Sequence, residues 1–286
     1  MQGGNLILLR EKIEAQLREI AEQTRGVLGL SVVDLTNGAH FGVNQENIFP
    51  QASAIKIAVL MEIYRQAGEG KFKLTDTRRI AKAGMTGGSG ILSELGDGTV
   101  ELNLHDLCVL MIVLSDNTAT NLLIDLAGIA NVNRMLESLG LKRTRLQRRM
   151  MDMEAAQHGH ENLSTPAEAA RIMELLFRGE FVSRAVCDEI LAILKKPKQT
   201  GISAGLPAGI EVAGKPGSIA GVKTEWAIVL LKHRPYIITI MENYGVEPEA
   251  ADAMKDISKA LYNYFLRLSH ASPHGVYIAP AGEKQR

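Results

Sequence analysis

The sequence predicts an α/β (α+β) fold. An antiparallel sheet is built from both chain ends and flanked by helices, with an all-helical domain inserted between the two parts. Three observations predict it. Strand patterns occur only towards the two ends, at 26–44 and 224–244, and the stretch from about 68 to 200 carries helical apolar spacing. No internal repeat and no low-complexity linker divides the 286 residues, a length suited to one large domain or two closely packed ones. The expected division is 1–66 plus 200–286 for the sheet and 67–199 for the helical insert. An active site is then expected in the cleft between them.

In chain order, Leu6, Leu9, Ile13, Leu17 and Ile20 recur at helical spacing and predict a first helix over 5–24. GVLGLSVVDLTNGAHFGVN (26–44) reads as two strands about a tight turn, with Thr36-Asn37-Gly38 as the turn residues. A helix starts at Ser53. Further helices are expected at 103–115, 117–127, 131–139, 166–178 and 183–194, with irregular Gly- and Met-rich stretches between them. TEWAIVLLKH (224–233) and PYIITIMENY (235–244) read as an apolar strand pair joined by a short turn. A last helix is expected over 248–268, with a frayed tail after Ser272.

Composition excludes several classes. Apolar residues make up 46%, too many for a disordered chain. No run reaches the roughly 18 apolar residues of a membrane span, so none is expected. Lys plus Arg equals Asp plus Glu at 32 each, which points to no nucleic acid and no acidic membrane surface. The densest basic stretch, KRTRLQRR (142–149), is short and reads as solvated surface. MQGGNLILLREKIEAQLREI lacks the basic start, apolar core and small-residue cleavage site of a secretion signal. Cys108 and Cys187 need not pair and fit no zinc pattern. His158 and His160 lack a third ligand at metal-site spacing, so no metal is expected. GMTGGSG (84–90) is not followed by Lys-Ser/Thr and is no phosphate loop.

PQASAIKIAVLMEIY (50–64) sets Ser53 three positions before Lys56 at the head of an apolar helix. Ser-x-x-Lys is weak alone, since roughly one chance copy is expected in such a chain, and Ser53 also reads as a helix cap. The catalytic alternative is physically sound. Positions three apart share a helix face, so the Lys56 amine can lie against the Ser53 hydroxyl. Burial beside other cations favours the neutral amine, which can act as base. A helix N-terminus also points N–H groups at a developing oxyanion. Two further elements follow: Ser115-Asp116-Asn117 in a loop between predicted helices, and Lys215-Pro216-Gly217-Ser218 before the late strands. The first also reads as a cap and the second as a Pro-Gly turn.

Each element is weak alone, but in this order and spacing the three together are specific. With them the chain resembles the class A β-lactamases and related penicillin-binding serine hydrolases, whose signature set is Ser-x-x-Lys, Ser-Asp-Asn and Lys-Thr-Gly. The resemblance runs from about residue 12 to 268. It implies the β-lactamase-like form of the fold above and a metal-free, cofactor-free enzyme working through an acyl-enzyme. Ser53 would be the nucleophile and Lys56 the proton acceptor or relay. Ser115 would pass the proton to the leaving nitrogen, and Asn117 would hold Lys56 and the substrate amide. Lys215 would supply positive charge near the substrate carboxylate, with Lys223 as a second basic contact. The backbone N–H groups of Ser53 and Ser218, next to Gly217, match the oxyanion hole. The partner implied is a small β-lactam or a D-amino-acid peptide or ester. A monomer in the periplasm or outside the cell is implied as well.

Two departures qualify the resemblance. Pro216 stands where the family has threonine, removing a hydroxyl and an N–H; Ser218 or Thr224 are candidate replacements. TRLQRRMMDMEAAQHGHENLSTP (144–166) occupies the place of the family's omega loop, with Arg148 and Asn162 near its ends. Anchored on TRL, it puts Met150 where the family has the glutamate that activates the deacylating water. Asp152, Glu154 and Glu161 are nearby carboxylates, and Glu154 is the preferred substitute because it falls where the family has an asparagine that holds that water. Cys108 matches one half of a family disulfide whose other position here is Leu60, so a free thiol is expected. Slow β-lactam hydrolysis is the leading activity. The rivals are a penicillin-binding peptidase or esterase and a catalytically dead binding domain.

Overall fold

The structure, a computed structural model, describes residues 4–96, 98–272 and 274–278. The chain opens with α1 (Gly4–Gln23), β1 (Val27–Asp34) and β2 (His40–Val43), followed by the short β3 (Phe49–Pro50) and α2 (Lys56–Gly68). Two short strands, β4 (Thr77–Arg79) and β5 (Glu101–Asn103), frame the glycine-rich segment. Next come α3 (Leu104–Val113), α4 (Asn117–Ala127), α5 (Ile129–Ser138), α6 (Met153–Gln157), β6 (Leu163–Ser164), α7 (Pro166–Arg178), α8 (Arg184–Leu194) and α9 (Gly201–Ala204). The chain ends in β7 (Val212–Ile219), β8 (Val222–Val229), β9 (Tyr236–Asn243) and α10 (Glu249–Ser269). The mixed fold with its antiparallel sheet is the one expected.

The main sheet has the order β2-β1-β9-β8-β7, with every neighbouring pair antiparallel. The first strands thus lie beside the last, which is how the two chain ends make one sheet. Both faces are covered, so β1, β8 and β9 are buried along nearly their whole length. Against one face pack α1 and α10, where Ile13 and Leu17 meet Leu28, Leu30, Ile238, Ile257, Leu261 and Phe265. Against the other pack α7 and α8. From there a single apolar cluster continues through α2 into α3, α4 and α5. The helices carry their own start signals. Asn103, Asp116, Thr165 and Ser183 each accept a backbone N–H as N-caps of α3, α4, α7 and α8.

The late region differs from expectation. Two strands were predicted at 224–233 and 235–244; the structure has three, and Lys215-Pro216-Gly217-Ser218 lies inside β7 rather than in a turn. The strand is legible in hindsight because β7 is the sheet edge, where a proline's missing N–H costs no ladder bond. α3 ends at Val113, short of the predicted 115, because the chain leaves the helix to set up Ser115. Cys108 in α3 and Cys187 in α8 are both buried and unpaired. Of the tail, Ala271 and Tyr277 form an isolated bridge, and 279–286 lie outside the described residues.

Candidate active site

The turn that carries Ser53 is fastened before the helix begins. The Gln51 N–H donates to Asn162 O (2.8 Å), and Gln51 O accepts from Thr224 Oγ1 (2.9 Å). Gln51 Oε1 accepts from Trp226 Nε1 at 2.9 Å. Ala52 then takes a left-handed φ of +44°, a strained conformation for a residue with a Cβ and one that such a locked loop can hold. A 3₁₀ turn over Ala52–Ile55 leads into α2. In 3₁₀ geometry residues three apart eclipse, which lines Lys56 up with Ser53. The cap reading of Ser53 fails: Gln51 and Ile55 hold the cap positions, and neither turn nor helix has a side-chain cap bond. Ser53 is left half-buried at the cleft.

Lys56 is fully buried, and its Nζ donates to Ser115 O (2.7 Å), Ser115 Oγ (3.1 Å) and Asn117 Oδ1 (2.9 Å). From the other side Lys215 Nζ donates to the same Ser115 Oγ at 3.1 Å and to Pro216 O at 2.8 Å. One hydroxyl therefore sits between two lysines. Burial and then the charge of Lys215 push Lys56 well below the usual lysine range, with Asp116 opposing. Burial and Lys198 bring Lys215 down to about 7, with Glu225 opposing. A lysine so shifted is a competent proton acceptor near neutral pH. Ser115 has φ +54°, in the left-handed region that costs a serine roughly 1–3 kcal/mol. That conformation delivers both its carbonyl and its hydroxyl to Lys56.

Asp116 joins this centre to the glycine-rich segment. Its Oδ1 caps α4, and its Oδ2 accepts the N–H groups of Ile91 (2.7 Å) and Leu92 (2.9 Å). The Asn117 N–H donates to Ser89 O and its Nδ2 to Gly87 O, both at 2.9 Å. Gly90, at φ +108°, packs so close to Asp116 that a Cβ would collide with it. The segment 84–90 thus forms a wall of the cleft, and Ser89 lines it.

The cleft encloses about 700 Å³ and brings Ser53, Ser115, Lys215, Gly217, Ser218 and Lys223 onto one lining. Gly217 is the closest approach of β7 to the nucleophile turn. A Cβ there would lie 2.7 Å from both Gln51 O and Ser53 N, and 2.8 Å from Ala54 N. Lys223 is committed elsewhere, in an ion pair with Glu247.

The loop at 144–165 keeps its anchors. Arg148 pairs with Glu161 (3.0 Å), and Asn162 Oδ1 accepts the N–H groups of Gln147 and Arg148. Asn121 Oδ1 accepts the Met150 N–H at 2.9 Å and its Nδ2 donates to Met150 O at 3.1 Å, so Met150 is pinned and buried. Glu154 is not brought to the site: it is exposed on α6 and absent from the cleft lining. Asp152 is used as the cap of α6 and Glu161 by Arg148. The short helix, unforeseen in the sequence, turns Glu154 outward.

The comparisons with known proteins agree with this fold. A family model described as "Beta-lactamase enzyme family" matches residues 12–265. The chain belongs to that family. A β-lactamase from Sphaerobacter thermophilus is 33% identical, with a TM-score of 0.81 over 89% of this chain and 98% of that one. The β-lactamase CARB-3 of Pseudomonas aeruginosa is 25% identical over 89% of this chain and 91% of its own. PBP-A is 25% identical with a TM-score of 0.82, covering 89% of this chain and 96% of that one. A mutant of PBP-A is among the similar structures as an acyl-enzyme complex with penicillin G.

Proposed function

We propose that this chain is a serine hydrolase that β-lactams acylate at Ser53 and that releases the product slowly. The observation that carries the reading is the single hydroxyl of Ser115 held between Lys56 and Lys215 beside the Ser53 turn. In acylation, the Lys56 amine takes the Ser53 proton and Ser53 Oγ bonds to the lactam carbonyl carbon. The oxyanion is held by the N–H groups of Ser53 and Ser218. As the tetrahedral species collapses, the carbon–nitrogen bond breaks and Ser115 relays the proton from Lys56 to the leaving nitrogen. Asn117 orients Lys56, and Lys215 attracts the substrate carboxylate. Deacylation is slow because the thioether of Met150 accepts no proton from water.

A second reading, a penicillin-binding peptidase or esterase, is favoured by the same Met150 and by the likeness to PBP-A. Fluorescent penicillin labelling together with turnover of a chromogenic cephalosporin tests both. Labelling with slow turnover is expected. Labelling without turnover favours the second reading, and no label at all leaves a binding domain.

A further inference from the structure

Met151 is exposed, strained and without a task in the acylation steps above. It follows the pinned Met150, and Arg149 O accepts the Asp152 N–H at 3.5 Å, which closes a turn with Met151 at its third position. Its φ is +61°, in the left-handed region that turns ordinarily leave to glycine at that position. A Cβ makes the conformation costly, and little burial offsets the cost, since Met151 is 51% exposed. Its role must therefore lie in what the side chain touches.

The thioether lies against the opposite wall. Gly88, in the glycine-rich segment, has φ +95°, and a Cβ built on it would come within 3.0 Å of both Met151 Sδ and Asn117 Nδ2. Both atoms thus crowd one point above Gly88. Met151 reaches from the 144–165 loop across to the 84–90 segment and ends beside the Asn117 amide. Asn117 Oδ1 accepts from Lys56, and its Nδ2 donates to Gly87 O. An amide nitrogen carries two hydrogens, and among the described residues nothing accepts the second. Ser89, next along the wall, lines the cleft, and Met151 stands just outside that lining. In the proposed chemistry the leaving nitrogen faces Ser115 and the oxyanion faces the N–H groups of Ser53 and Ser218. The acyl side chain is then left the Asn117 side, past the spare N–H and under the thioether.

We propose that Met151 determines specificity: its side chain bridges the rim of the cleft beside Asn117 and disfavours β-lactams whose acyl side chain is bulky next to its amide. The inference rests on the reading of Ser53 as the acylated residue. An unbranched thioether can yield to a slender group. It cannot clear a wide one, because the turn fixes its base and Gly88 backs its tip. Gly88 belongs to the same device, since any side chain at 88 would press on the thioether and on the Asn117 amide. The neighbouring Met150 is buried and held at both N–H and carbonyl by Asn121, so a change of side chain at 151 leaves it in place. The substrates favoured are β-lactams with a small or unbranched acyl side chain.

The test is the second-order rate of acylation, read by intact mass, for 6-aminopenicillanic acid and methicillin. The first has no acyl side chain, and the second sets a dimethoxyphenyl ring directly on the amide carbonyl. In Met151→Ala the rate for methicillin relative to 6-aminopenicillanic acid is expected to rise about tenfold over the wild type, the scale on which a few methylenes discriminate in a pocket. Met151→Leu, close in volume, is expected to keep the wild-type ratio within about twofold. A side chain that only braced the loop would change both rates alike. An unmoved ratio in Met151→Ala, equal losses for both compounds, or a Met151→Leu protein that behaves like Met151→Ala overturns the proposal. A wild type that neither compound acylates overturns the reading of Ser53 and the proposal with it. A wild type that is acylated, with the ratio unmoved in Met151→Ala, removes the proposal alone.

Discussion

The two walls that meet at Ser53 are equally well built and differently equipped. On the side of α2, Ser115 and β7, Lys56 and Lys215 converge on one hydroxyl, and Asn117 and Asp116 tie down their surroundings. On the side of the 144–165 loop, the anchors are as complete, through Arg148–Glu161, Asn162 and Asn121. What that loop holds at its pinned position is Met150, a buried apolar side chain. The difference teaches that the two half-reactions are separable in this fold. Under the proposed function, the first side carries the groups that form the acyl-enzyme, and the second keeps its scaffold with no proton acceptor at Met150.

Substitutions on either wall sharpen that contrast. Ser53→Ala is expected to abolish acylation altogether, since no other serine has a lysine three residues on; a penicillin adduct found by mass on that variant would break the account of the first wall. Lys56→Ala should slow acylation at least ~10²-fold, the scale of losing a general base. Stopped-flow acylation at near wild-type speed would assign the proton to another group. Gly217→Ala adds a Cβ against three backbone atoms of the nucleophile turn, which cannot swing aside as a side chain can. A displacement of about 1 Å there predicts a loss of up to ~10²-fold in acylation, measured with the same reporter. Met150→Glu acts on the second wall only. It should raise the deacylation rate about tenfold or more while leaving acylation within a factor of about two, because the backbone at 150 stays pinned by Asn121.

Much of this was legible in the residues, for identifiable reasons. Long apolar periods placed α1, α7, α8 and α10, and the order of Ser53-x-x-Lys56, Ser115-Asp116-Asn117 and Lys215-x-Gly217 placed the first wall. β7 was hidden because Pro216 and four glycines or small residues (Ala213, Gly214, Gly217 and Ser218) mask an edge strand's pattern, and edge position is a property of the sheet. Glu154 was expected at the cleft, and a five-residue helix capped by Asp152 leaves it exposed instead. Lys198, Ser89, Asn121 and Glu225 carry no local motif. They reach the site through β8, α4 and two loops distant in sequence, and only the assembled cleft selects them.

The separability of the two half-reactions is tested most directly by following penicillin with the wild-type protein before the steady state while recording intact mass over time. A burst of about one equivalent, a mass increase equal to one ring-opened penicillin, and its slow decay are predicted. Rapid steady turnover with no burst and no trapped adduct would contradict the account, because it would mean that a competent base already faces the acyl-enzyme.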